Sequence, residues 1–289
     1  MMIHKTIGII LLGFCLNLSL FAQELYIFTE PASNMPAKSI GVRLTNEGMF
    51  SPDFRNRSIA EVMVGVNKNI MFHVQGFLSD MDGKYEAEGS SFYMKYRFLS
   101  LDAAQSHFRA AAFGRVSSSK RRVRSEDINL EGDNSGLQGG FIFTQLIHKL
   151  ALSATLGYSK VFGKDEIPLI GGMDMGLHGM MMPTIQTKSP DELVSYSLSS
   201  GYLLLPFVYK NYNQPNFNLY FEVLGKTNPA NGNSYLDFAP ALQLILNSKT
   251  RIDLGYRFQA AGNMENRYLR NMYLVRVEFN FFNALSKKQ

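Results

Sequence analysis

Tyr273-Leu274-Val275-Arg276-Val277-Glu278-Phe279-Asn280-Phe281 is the stretch that decides the fold. Successive side chains of a β-strand point to opposite faces, so the run sets Tyr273, Val275, Val277, Phe279 and Phe281 on one side and Leu274, Arg276, Glu278 and Asn280 on the other. A helical period would scatter both classes round an axis. A one-sided strand of a soluble sandwich would show the same alternation, so the number of repeats and the way they are joined must decide between the two.

Working backwards, the two-residue period recurs at 252–258, 236–244, 217–223, 194–204, 150–158, 137–143, 107–115, 92–98, 70–75, 60–67 and 39–44, which with the closing run makes about twelve strands. The connections alternate in length. Those at 45–59, 80–89, 116–135, 161–192, 225–234 and 260–270 are long. Those at 68–69, 100–105, 148–149 and 247–250 are short, and 206–214 is intermediate. An even strand number, long loops on one side and tight turns with both chain ends on the other are what an up-and-down membrane barrel requires, whereas a sandwich has no reason to sort its loops by parity. The expected fold is all-β: a closed antiparallel transmembrane barrel in the bacterial outer membrane. Closure removes the unpaired strand edges that hydrocarbon does not tolerate. Tyr158, Tyr202, Tyr209, Tyr212, Tyr256 and Tyr273 gather towards strand ends, where an aromatic ring with a wet edge suits the membrane interface, although the chain has no Trp for such a girdle.

The first residues read as an export signal: His4 and Lys5, an apolar 7–16, and Leu20-Phe21-Ala22 before Gln23. Residues 1–22 are expected to be cleaved and 23–289 to form one barrel domain. Cys15, the single cysteine, falls inside the signal, so the mature chain is expected to hold no disulfide and no thiolate site. The formal charge is +5 with 18% charged residues. The basic residues are scattered at alternate strand positions instead of forming a patch, which argues against nucleic acid as a partner.

The whole mature chain resembles Gram-negative outer-membrane β-barrels, and 253–258 followed by 273–281 is similar to the end of outer-membrane transporter families. The resemblance implies channel or transporter activity, insertion among outer-membrane lipids and lipopolysaccharide, and recognition by the barrel-assembly machinery. It carries over no functional residue. Residues 283–289 extend past the terminal aromatic Phe282, where assembly signals of this kind end on an aromatic.

With the apolar face towards lipid, the lumen receives Arg43, Lys95, Arg97, Arg109, Arg115, Arg257 and Arg276, with Glu61, Glu222, Asp237, Asp253 and Glu278, and His73 and His107 between them. Two readings follow. One is a salt-bridged interior, since buried charges are costly unless paired. The other is a narrow polar pore for small solutes, selective through its lining charges. Passive transport is the expected function, with a non-conducting surface barrel for adhesion or recognition as the alternative. A lipid-modifying enzyme ranks third: acyl transfer needs a serine within reach of an oriented histidine, and His73, His107 and His148 have no serine two residues away on the same face. The charged run 117–124 reads as a solvated loop with lipopolysaccharide phosphates as a candidate ligand. No cofactor is expected, with one candidate exception. Met173, Met175, His178, Met180, Met181 and Met182 fall within ten residues. Thioethers with an imidazole suit Cu(I), though methionine is also an adaptable packing residue.

Overall fold

A computed structural model describes residues 26–51, 53–103, 105–121, 125–162, 189–208, 213–267 and 270–286. Twelve antiparallel strands form a closed barrel: β1 (Ser39–Met49), β2 (Arg55–Gly65), β3 (Ile70–Ser79), β4 (Glu86–Ala103), β5 (Ser106–Ser119), β6 (Gly136–Ile147), β7 (Leu150–Val161), β8 (Glu192–Leu205), β9 (Asn216–Thr227), β10 (Ser234–Leu246), β11 (Thr250–Gly262) and β12 (Met272–Phe281). Each strand pairs with its sequence neighbours, and β1 closes on β12 with Arg43 opposite Glu278. There is no helix among the described residues.

The alternation sorts as expected. Leu44, Val62, Val74, Phe92, Phe141, Leu152, Leu198, Leu219, Leu254, Val275 and Phe279 are exposed on the outer wall, and Tyr96, Tyr158, Tyr196, Tyr202 and Tyr256 are exposed with them. In a bilayer this wall is an apolar band with interfacial tyrosines. Their strand neighbours Arg43, Glu61, His73, Lys95, Glu222, Asp253 and Glu278 are buried inside.

The strands run further than the apolar rhythm announces. β1 reaches Met49 and β2 starts at Arg55, so the connection expected at 45–59 shrinks to 50–54. The ladder there is carried by polar residues, with Asn46 donating to Ser58 at 3.2 Å and Tyr273 donating to Asn46 at 2.9 Å. Beyond the hydrocarbon neither face need be apolar, so the period fades before the strand does. β4 likewise extends to Ala103 and takes up most of the turn expected at 100–105.

The lumen is filled. Residues 26–38, ahead of β1, have no regular secondary structure; 26–35 lie inside the barrel and 36–38 are exposed. Tyr26 and Ile27 are almost completely buried, packed with Leu146, Ala151, Tyr220, Ala241 and Leu274. Burying an apolar side chain of this size stabilises by about 1.5–3 kcal/mol. Gly255 on β11 makes room for Phe28: a Cβ there would lie 2.8 Å from its ring.

Candidate functional site

The candidate site is the lumen itself, which has three levels. At the short-turn end, Asn34 and Arg97 both donate to the Lys68 carbonyl of the β2–β3 turn, at 3.4 and 2.5 Å. Met35 packs into Met63 and Met71, and Arg109 donates to the Ser33 hydroxyl at 2.7 Å.

The middle level is a charge array built by strand register. Arg43 on β1 faces Glu61 on β2 and Glu278 on β12, and Arg251 on β11 faces Glu278 in turn. Four adjacent strands therefore present Glu61, Arg43, Glu278 and Arg251 in alternating sign, at 3.0, 2.8 and 3.3 Å. Asp253 lies 3.0 Å from Arg251 and 3.7 Å from Arg276, and Nδ1 of His73 lies 2.6 Å from Glu61. Residues 26–38 join this array through Glu30, 3.2 Å from Arg43 and 3.5 Å from Lys95.

Much of the grip on that segment is on its main chain. One carboxylate oxygen of Glu222 accepts the N–H groups of Ile27 and Phe28, at 2.9 and 2.8 Å. The other oxygen accepts the Thr29 hydroxyl at 2.6 Å and the Ser199 hydroxyl at 3.0 Å. Arg276 donates to the Ile27 carbonyl at 2.8 Å and Lys95 to the Pro31 carbonyl at 2.6 Å, while Thr144 accepts the Ala32 N–H at 2.9 Å.

The long-loop end is capped by residues 125–135 of the β5–β6 connection. Ile128 and Leu130 pack on Leu193, Tyr235 and Met264. Lys226 binds Asp127 at 2.8 Å and the Ile128 carbonyl at 2.6 Å, and Arg115 pairs with Glu131. Asp133 is shared by Arg57 and Arg121, and Arg57 also donates to Glu88 at 2.7 Å. Arg257 and Arg267 both reach Asp237 at 2.7 Å, and the Arg267 guanidinium lies 3.5 Å from the centre of the Tyr235 ring. Burial would raise the Asp127 carboxyl, but Lys226, Arg267 and Arg257 together outweigh burial and hold the group below its ordinary range. Burial would likewise raise Glu131, but the ion pair and hydrogen bond from Arg115 hold it below its ordinary range.

Between cap and plug lies a cavity of about 90 Å³ bordered by Ile27, Phe28, Glu47, Asp127, Lys226 and Arg276. That is room for roughly three waters.

Of the residues expected to line a pore, Arg43, Glu61, His73, Lys95, Glu222, Asp253, Arg276 and Glu278 belong to the middle level, and Arg115, Asp237 and Arg257 to the cap. Arg109 touches the plug. Arg97 and His107 stand at the short-turn rim, where Nδ1 of His107 lies 2.7 Å from Asp102. Arg121, expected in a solvated loop, turns instead to Asp82 at 2.8 Å and to Asp133. Arg57, Glu88, Glu30, Asp127, Glu131, Asp133 and Lys226 were not anticipated, because they fall outside the alternating runs. Arg251 was legible, being in phase with Asp253. The Met173–Met182 group lies outside the described residues. None of the described histidines is hydrogen-bonded to a serine, and no cluster of three His, Cys, Asp or Glu side chains suited to a metal occurs among the described residues.

No family model and no curated protein sequence matches the chain. Solved structures do. An outer-membrane channel from Pseudomonas putida F1 is 10% identical, with 89% of this chain and 100% of that one covered, at a TM-score of 0.55. The NanC porin is 13% identical over 84% and 98%, at 0.46, and the KdgM porin 8% identical over 84% and 99%, at 0.44. The likeness to the Pseudomonas protein agrees with the outer wall and the strand order: this chain is an outer-membrane β-barrel by fold.

Proposed function

We propose that the protein is a passive outer-membrane channel for small solutes, shut in the described state by residues 26–38 and capped by residues 125–135. The observation that carries this reading is the nature of the plug's attachment. The segment is continuous with the wall at Lys38–Ser39, and ion pairs and hydrogen bonds that water can replace hold much of it in place. The lumen behind it is lined with charges of both signs. Lipopolysaccharide around the wall and the assembly machinery during insertion are the partners this role implies.

The packed lumen also favours a second reading, a non-conducting surface barrel. Planar-bilayer recording separates the two. The full chain should show rare, brief openings, and a Phe28→Ala/Glu30→Ala variant, which weakens the plug but leaves the wall intact, should open often. Silence from both would support the surface barrel.

The methionine run at 173–182 adds a separate proposal, Cu(I) contact by the β7–β8 connection, carried by residue chemistry alone. A peptide spanning 170–184 should retain Cu(I) against a competing chelator. Replacing Met173, Met175 and Met180 by Leu should abolish retention, and equal retention by both peptides would end the proposal.

A further inference from the structure

We infer that the lumen is a binding site for short peptides, the plug being a tethered occupant of a site whose solutes are peptides of about eight residues. This rests on the channel reading and names its substrate class. Five main-chain groups between Ile27 and Ala32 are taken by wall side chains: two N–H groups by Glu222, one by Thr144, one carbonyl by Arg276 and one by Lys95. Peptides that add to a sheet pair with an exposed strand edge, but a closed barrel has none, so here side chains do the pairing. Contacts to the main chain are indifferent to sequence and are absent from sugars or simple ions.

The side-chain pockets are tolerant as well. Phe28 packs on Met81 and Met272, and Met35 on Met63 and Met71. Methionine is flexible and polarisable and is favoured on surfaces that accept varied partners. One position is selective: Glu30 sits between Arg43 and Lys95, which fits an acidic side chain or a terminal carboxylate.

The test keeps the chain whole until the barrel has assembled. A protease site is inserted between Ala37 and Lys38, both exposed, and Ala37→Cys carries a fluorophore. After cleavage, release of the labelled segment reports binding of an added competitor whether or not the barrel conducts. Four competitors are compared: the octapeptide of residues 26–33, an octapeptide of otherwise different sequence that keeps Glu at its fifth position and large apolar residues at its first three, the first peptide N-methylated at the residues matching Ile27 and Phe28, and a neutral oligosaccharide of similar mass. The two unmodified peptides should release the segment within about threefold of each other. The N-methylated peptide should be at least tenfold weaker, because it loses two hydrogen bonds to a charged acceptor. The oligosaccharide should be inactive. Release by the native sequence alone, equal potency of the N-methylated peptide, or release by the oligosaccharide would overturn the inference. Conductance of the same cut barrel is recorded separately: a silent barrel that still binds peptides would sink the channel reading and leave the peptide site standing.

Discussion

Glu222 on β9 accepts the main-chain N–H of Ile27 at 2.9 Å, although 195 positions separate the two residues. The same carboxylate takes the next N–H, and the Thr29 and Ser199 hydroxyls share its second oxygen. Glu222 is therefore a clamp on the plug, not a free charge lining water. Glu222→Ala would leave two N–H groups without a partner, at about 1–3 kcal/mol each. Hydrogen exchange at Ile27 and Phe28 should accelerate by roughly ten- to a hundredfold. Glu222→Gln keeps an acceptor and should lie between. Unchanged exchange in the alanine variant would mean the clamp does not hold the plug.

Glu278 lies between Arg43 and Arg251. Glu278→Ala would take one carboxylate from each of two buried guanidinium groups, Arg43 keeping Glu61 and Glu30 and Arg251 keeping Asp253. The cost should therefore fall below the roughly 3–5 kcal/mol of a buried charge left with no partner. The temperature at which the barrel loses its compact electrophoretic mobility should fall clearly, and a second change, Arg251→Met, should recover part of the loss. If the single variant is as heat-resistant as the parent, the array is not a structural element.

The cap should respond to acid. Asp127 and Glu131 are held below their ordinary ranges, so their pairing stabilises docking above the usual carboxylate range and is lost as pH falls through the lowered values. Hydrogen exchange in residues 125–135 should stay slow at neutral pH and rise only below about pH 4. Lys226→Gln should move the onset upward. An onset at or above the ordinary carboxylate range in the parent, or no upward shift of the onset in Lys226→Gln, would contradict the ion-pair account of the cap.

Facing can be tested on one strand. Leu254 is exposed on the outer wall, whereas Arg257 pairs with Asp237 inside. Leu254→Arg should impair membrane assembly by about 2–4 kcal/mol near the bilayer midplane. Arg257→Leu should weaken the cap and leave insertion intact. The reverse order of damage would invert the two faces.

The wall was readable because hydrocarbon and lumen impose a period of two on strands such as 252–258 and 273–281, and every shift by one residue would expose Arg257 or Glu278 to lipid. The short turn at 148–149 was readable as the break between two alternating runs, and His148 takes a positive φ there. What fills the lumen was not. Tyr26-Ile27-Phe28-Thr29-Glu30-Pro31 has no periodicity, and its partners Glu222, Arg276, Lys95 and Thr144 are scattered over four strands that only barrel closure brings together. The alternation set Glu278 and Arg43 on the inner face. That they touch follows from the register in which β1 meets β12 on closure, which no local pattern announces.

The claim that residues 26–38 close the lumen is tested most directly by locking them there. Ala32 and Thr144 are joined by a 2.9 Å hydrogen bond, and an Ala32→Cys/Thr144→Cys pair would tie the plug to β6 in a mature chain expected to hold no other cysteine. Current through single barrels is recorded under oxidant and then after a reductant is added. The account predicts a silent oxidised barrel that regains the parent's rare, brief openings on reduction, with each single-cysteine variant indifferent to both reagents. Equal conductance in the oxidised and reduced double variant would show that the segment does not gate the lumen.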